Sequence, residues 1–154
     1  MFTLTRYGCH IILLLLLGTM AACSSNIKAY PNKLDKNLHI KTNSSVNTAV
    51  DIFQVNPDCS ITYSGTVKLN KKDVDIGIPA GRSSYLAFAF SSSDFLSGES
   101  TTSFSTLLRP RKNSKYDIDV SYQDNIYNVV IYERPGANKK REIETKDLSA
   151  CRPL

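Results

Sequence analysis

The sequence predicts an all-β fold: a small antiparallel β-sandwich of about seven to nine strands, with a small closed β-barrel as the alternative. Three observations carry this. From Leu38 onward, apolar and polar residues alternate with period two in segment after segment. Short polar clusters such as Asn43-Ser44-Ser45, Pro79-Ala80-Gly81 and Asp124-Asn125 punctuate those segments. No segment shows a convincing helical pattern, and the chain of 154 residues allows one domain with no internal repeat.

The elements follow in order. Leu38–Thr42 and Val46–Val55 are strands separated by Asn43-Ser44-Ser45. In the next strand Cys59, Ile61, Tyr63, Gly65, Val67 and Leu69 fall on one face, with Ser60, Thr62, Ser64, Thr66 and Lys68 on the other. An antiparallel strand with one face on a core and one in water has this pattern. Asp73–Ile78 repeats it, ends at Pro79 and turns at Ala80-Gly81. In Ser84–Phe90, Leu86, Phe88 and Phe90 share a face opposite Tyr85, Ala87 and Ala89. Ser91–Ser103 is rich in Ser, Thr and Gly and reads as a long loop before a short strand at Phe104–Leu108. Lys115–Glu133 reads as a hairpin, because Asp124 and Asn125 both tolerate the positive φ of a two-residue turn. That turn sets Tyr122 opposite Tyr127, Val120 opposite Val129 and Ile118 opposite Ile131. Arg134–Asn138 is a second turn, and Arg141–Thr145 a last short strand.

The N-terminus is different in kind. Met1–His10 carry Arg6 and no acid, and Ile11–Ala22 is a 12-residue apolar stretch. That is short of the roughly 20 residues that cross a bilayer as a helix, and is the build of a secretory signal. Met20-Ala21-Ala22-Cys23 resembles the lipobox of bacterial lipoproteins, in which small residues lead into an obligatory Cys. The resemblance implies that residues 1–22 are removed, and that Cys23 is diacylated on sulfur and then acylated on its new amino terminus. The alternative is ordinary cleavage near Ala21 or Ala22, leaving a free thiol or a disulfide partner. In sorting systems of the enterobacterial kind, Asp after the lipidated Cys retains a protein in the inner membrane. Ser24 here implies the outer membrane, facing the periplasm, with the inner membrane or the cell surface as alternatives.

Residues 23–37 then form a lipidated tether and residues 38–154 the β-sandwich domain. From Ser24 the tether is polar, basic and Pro-containing, without apolar periodicity, and reads as a flexible stalk reaching at most about 46 Å. Lys28, Lys33, Lys36 and Lys41 suit either anionic headgroups or plain solvation. Loss of the leader removes only Arg6 from the charge balance, so the net charge of +5 falls by one.

With Cys9 discarded and Cys23 lipidated, Cys59 and Cys151 remain as an even pair in an oxidising compartment, and a disulfide is expected. Its closed loop gives a chain-entropy stabilisation of at most about 4–5 kcal/mol, and it would pin Leu148–Leu154 onto the strand that starts at Cys59. Two free thiols, or a catalytic Cys, is the competing reading, although no His lies nearby to activate either. His39 is the one mature histidine, in the strand-like LHIKT, and no nucleophile elbow, His-Glu-X-X-His or phosphate loop is present. Asp73/Asp75 and Asp117/Asp119 each share a strand face, where they would bind a cation, do acid–base work, or simply be solvated. The expectation is a protein that is not an enzyme, with no cofactor and no metal.

Two basic clusters flank the hairpin: Arg109, Arg111, Lys112 and Lys115 before it, and Lys139, Lys140 and Arg141 after it. They suit an acidic partner protein, anionic lipid or lipopolysaccharide phosphate, against solubilising loop charge; nucleic acid is not expected outside the cytoplasm. Tyr85, Tyr127 and Tyr132 read either as interface residues or as packing at the core edge. Together these features predict a lipid-anchored domain that binds another envelope protein, an accessory or scaffold lipoprotein. In build it resembles the small accessory lipoproteins of secretion or conjugation machines. The alternative is an inhibitor or immunity lipoprotein that blocks a lysozyme-like or toxin enzyme. Membrane-anchored lysozyme inhibitors share the lipobox, the small β body and a late Cys bonded to an early one. Their Ser-Gly-X-Arg-Tyr loop has its nearest text in Ala80–Tyr85, where Arg82 and Tyr85 are not adjacent, so no residue role carries over.

Overall fold

The computed structural model describes residues 27–70, 73–94, 98–136 and 139–153. The leader and Cys23 lie outside them. Among the described residues nine strands are formed: β1 (Leu38–Ser44), β2 (Asn47–Val55), β3 (Ile61–Lys68), β4 (Val74–Ile76), β5 (Ser84–Asp94), β6 (Gly98–Leu108), β7 (Ser114–Gln123), β8 (Ile126–Pro135) and β9 (Arg141–Ile143). They make an open sandwich of a five-stranded sheet, β4-β1-β7-β8-β9, over a four-stranded one, β3-β2-β5-β6. All pairings are antiparallel except β1 with β7. The predicted sandwich is therefore present, and the barrel is not.

Alternation explains the core. Leu38 and Ile40 of β1, Ile118 and Val120 of β7, and Ile131 of β8 meet Val50 and Ile52 of β2 and Leu86, Phe88 and Phe90 of β5, all buried. The β7–β8 hairpin has the predicted register: Asp124 and Asn125 sit at φ 51° and 63°, and Tyr122 pairs with Tyr127, Val120 with Val129 and Ile118 with Ile131. The Cys59–Cys151 disulfide is formed. It closes a strap in which Lys146 O accepts from Leu107 N (2.6 Å) at the β6 edge, and the chain then turns through Leu148–Ala150 to reach the β2–β3 connection.

Three expectations need correction. First, the odd-numbered residues of β3 do not share one face, and Cys59 lies in the turn before the strand (φ 65°). Ile52 pairs with Gly65 but Phe53 with Tyr63, so Ser64 is an extra, bulged residue. The bulge turns Ile61 and Tyr63 outward and leaves Val67 packed on the core. Tyr63 instead leans on Phe53 (ring centroids 5.4 Å apart), which in turn meets Tyr85 at 5.9 Å on the outer face.

Second, Ser91–Ser103 is not a long loop. β5 and β6 pair continuously from Ser84↔Leu108 to Asp94↔Gly98. Ser91 and Thr101 hydroxyls meet at 3.1 Å in this exposed half of the hairpin. It lacks an apolar stripe because so little of it reaches the core, not because it is irregular.

Third, the stalk is not free from Lys28 on. Lys28 O accepts from Thr66 N (2.8 Å), and Tyr30 N donates to Thr66 O (3.0 Å), so residues 28–30 lie parallel to β3. Tyr30 OH donates to Gly77 O (2.7 Å), Gly77 N donates to Asn32 Oδ1 (3.0 Å), and the Asn37 side chain bonds both backbone groups of Ile78. The approach depends on a missing side chain. Gly65 sits at φ +150°, and a Cβ there would lie 2.6 Å from Tyr30 Cα and 2.7 Å from Tyr30 N. Gly65→Ala is therefore expected to unseat residues 28–30 and to cost about 1–3 kcal/mol. Limited proteolysis between Ile27 and Asn37, together with the thermal midpoint, reads both effects; unchanged protection would show that this segment is held elsewhere.

Candidate functional site

The topology gives the sandwich two unlike ends. The β2–β3, β4–β5, β6–β7 and β8–β9 connections gather at one, and the β1–β2, β3–β4, β5–β6 and β7–β8 connections at the other. Both basic clusters belong to the first end, which the sequence left open.

Their meeting point is a buried acid. Glu133 is 2% exposed on the core face of β8. Its Oε1 accepts from Tyr116 OH (2.9 Å) and lies 3.8 Å from Arg111 Nε, while its Oε2 accepts from Arg141 (2.7 Å). Tyr116 OH in turn accepts from Arg111 N–H at 3.0 Å, so one side chain from β7 and one from β8 fix both basic loops. Burial pushes the Glu133 carboxyl up, but the hydrogen bonds from Tyr116 and Arg141 and the nearby Arg111 charge outweigh it and hold the group below its ordinary value. Burial raises the Tyr116 phenol, which keeps it a donor.

The remaining basic residues divide. Lys112 and Lys139 are exposed, with no ion pair among the described residues. Lys140 leaves this end for the outer face of the five-stranded sheet. There its Nζ lies 3.9 Å over the Tyr132 ring, 3.7 Å from Asp117 and 3.5 Å from Asp119. Arg109 donates from Nε to Gly81 O (3.1 Å) and borders a cleft of about 530 Å³. Arg82 and Arg152 line the same cleft, with Val55, Pro57 and Cys151 in its walls. Charge runs did not reveal these two arginines. The Cys59–Cys151 pairing was the available signal for Arg152, since it brings the residue after Cys151 to the β2–β3 connection.

His39 and the two aspartate pairs sit on the outer face of the five-stranded sheet. His39 Nδ1 lies 2.8 Å from Asp75 and its Nε2 3.6 Å from Asp73. These two acids are partners of a half-buried histidine rather than an independent pair. Asp117 is not solvated: it is buried and accepts from Arg134 at 2.8 Å. At the far end, Tyr127 stacks on Phe90 (5.6 Å) and touches Phe104 (6.0 Å), and Ile126 beside it at the tip of the β7–β8 hairpin is 71% exposed. Tyr85 and Tyr132 are half-buried.

Neither a scan of protein-family models nor a search of the curated proteins returns a match.

The Glu133 arrangement has a pH signature. Folding lowers this carboxyl, so the stability it gives is complete above the ordinary glutamate value of about 4.3 and drains as pH falls below it. Glu133→Gln is expected to cost about 1–3 kcal/mol at neutral pH and to flatten the acid limb of the unfolding curve. Denaturant midpoints between neutral and acid pH check both; parallel curves for the two proteins would show that another group governs the acid limb.

Proposed function

We propose that this is a lipid-anchored, periplasm-facing β-sandwich that binds another envelope protein. Cys23 would be the lipidated residue and the outer membrane the anchoring site. The observation that carries the binding half of this reading is the polarity of the domain. Arg82, Arg109, Arg111, Arg141 and Arg152 and the approach of its N-terminal segment share one end, while the other presents an exposed apolar tip, Ile126, on an aromatic base of Tyr127, Phe90 and Phe104. A single exposed isoleucine is ordinary, but one at a hairpin tip braced by stacked rings has the form of an interface anchor.

The inhibitor reading has less support. Tyr85 lies within β5 and leans on Phe53, so the segment around Arg82 does not present an Arg–Tyr pair at a loop tip.

Two measurements test the proposal. Labelling cells with radioactive palmitate is expected to mark the wild-type protein and not Cys23→Ser, which should leave the membrane fraction. Ile126→Glu, on an exposed side chain that folding does not need, is expected to reduce recovery of the cross-linked partner from detergent-solubilised membranes by about thirtyfold, the equivalent of a 2 kcal/mol anchor. Wild-type protein that recovers no partner, or a variant that recovers it equally well, would remove the basis for this surface.

A further inference from the structure

The N-terminal segment has a direction. Residues 28–30 run parallel to β3, so the chain followed backwards from Lys28 heads toward the start of β3 and the basic end. Cys23 lies only five positions before Lys28, a reach of at most about 17 Å. The length of β3 from Thr66 back to Ile61 is about the same. A lipid on Cys23 would then enter a bilayer within about 17 Å of Lys28, well inside the roughly 46 Å reach of a free stalk. The corner that the chain approaches is apolar and aromatic. Ile27 is 59% exposed, and Ile61 and Tyr63 are 38% exposed each. Such residues settle at the boundary between headgroups and acyl chains.

Among the described residues, the cleft at this end is lined by three cations and no acid. Arg82, Arg109 and Arg152 all line it, and none is paired with a carboxylate among the described residues. Arg109 gives one donor to Gly81 O, and Arg152 Nη1 lies 3.2 Å from Ser149 O. Each guanidinium carries five N–H donors, so most are free for a ligand. A carboxylate satisfies one guanidinium in bidentate fashion, whereas three around one cleft suit an anion with more oxygens and more charge, a phosphate group.

We propose that the basic end seats on the anionic membrane that the lipid of Cys23 enters, with a lipid phosphate held between Arg82, Arg109 and Arg152. This rests on the lipidation proposed above. It assigns the basic end to the bilayer and leaves the Ile126 tip to the protein partner.

The chain contains no Trp, so a single introduced Trp reports depth without background. The lipidated full-length protein is reconstituted in vesicles of brominated phosphatidylcholine with or without phosphatidylglycerol. With the anionic lipid, Tyr63→Trp is expected to be quenched and Ile126→Trp not. Converting Arg82, Arg109 and Arg152 together to Gln is expected to lower the seated population about a hundredfold, at roughly fivefold for each cation near the surface. Lys68→Gln, at the other end of β3, should leave the quenching unchanged. Molar salt should release the seat, since it shortens the screening length to about 3 Å. Protein that co-floats with vesicles but shows no quenching at position 63, or equal quenching without phosphatidylglycerol, would overturn the seating while leaving the anchor intact. Protein that carries no lipid would overturn both. Guanidinium resonances that shift with inorganic phosphate but not with phosphatidylglycerol would assign the cleft to a free anion. A triple variant that seats normally but loses the partner protein would assign it to that partner.

Discussion

The register of the β7–β8 hairpin is the constraint on which both ends of the molecule depend. Asp124 and Asn125 adopt positive φ, and the two strands then pair residue for residue from Gln123↔Ile126 to Ser114↔Pro135. Side chains alternate with a period of two, so a slip of one residue would exchange every inward side chain for an outward one. In the observed register Tyr116, Ile118, Val120 and Tyr122 enter the core. A slip would put Lys115, Asp117, Asp119 and Ser121 there instead, with charges that nothing inside could pair. The same register sets Tyr116 beside Glu133 and so draws Arg111 and Arg141 to one carboxylate. At the other end it sets Tyr122 opposite Tyr127, and both rings stack on Phe90.

What the sequence reveals follows from which interactions leave a periodic trace. The turn and register of the hairpin were legible, because the register is written in side chains; only the far end differs, where Arg134 and Pro135, read as part of a second turn, still belong to β8. The bulge in β3 was not. Ile61, Tyr63, Gly65 and Val67 keep the same spacing whether or not Ser64 is paired, and only the partner strand shows where the face changes. The outer half of β5–β6 was missed for the opposite reason. Its backbone is regular, but Ser and Thr on both faces give no alternation to read. The docked N-terminal segment leaves least trace of all. It is held by backbone groups of Lys28, Tyr30 and Thr66, by two Asn side chains, and by the absence of a Cβ at Gly65. The basic clusters were visible as runs of charge, but their convergence belongs to topology. Arg82 and Arg152 stand apart from those runs and come together only through the strap that ends in the Cys59–Cys151 bond.

Glu133 shows how charge is managed where the two sheets close over the core. A lone buried carboxylate would be prohibitively costly. Here one oxygen takes the tyrosine hydroxyl and the other a guanidinium, while Arg111 and Arg141 keep most of their own surface in water. The pair thus escapes the full desolvation of two buried ions, and the exposed parts of both arginines still add to the positive field at this end. One carboxylate both closes the core and orders the loops that make the end basic.

Tether length and fold polarity have to be read together. A long flexible stalk would decouple the domain from the bilayer, and the distribution of charge between its ends would then carry little orientational information. With residues 28–30 zipped to β3, the proposed anchor at Cys23 is at most about 17 Å of chain from the domain. In the proposed orientation the charged end would lie within a Debye length or two of a headgroup layer, the range over which its cations act. The opposite tip then stands off by about the length of β7, ten residues or roughly 33 Å. That height is a property of the fold rather than of a fluctuating linker, so a protein partner reaching Ile126 would meet it at a nearly fixed distance from the membrane plane. A docked segment at residues 28–30, a basic end and an apolar tip opposite it are separate features of the chain, and the proposed bilayer-facing orientation would account for all three.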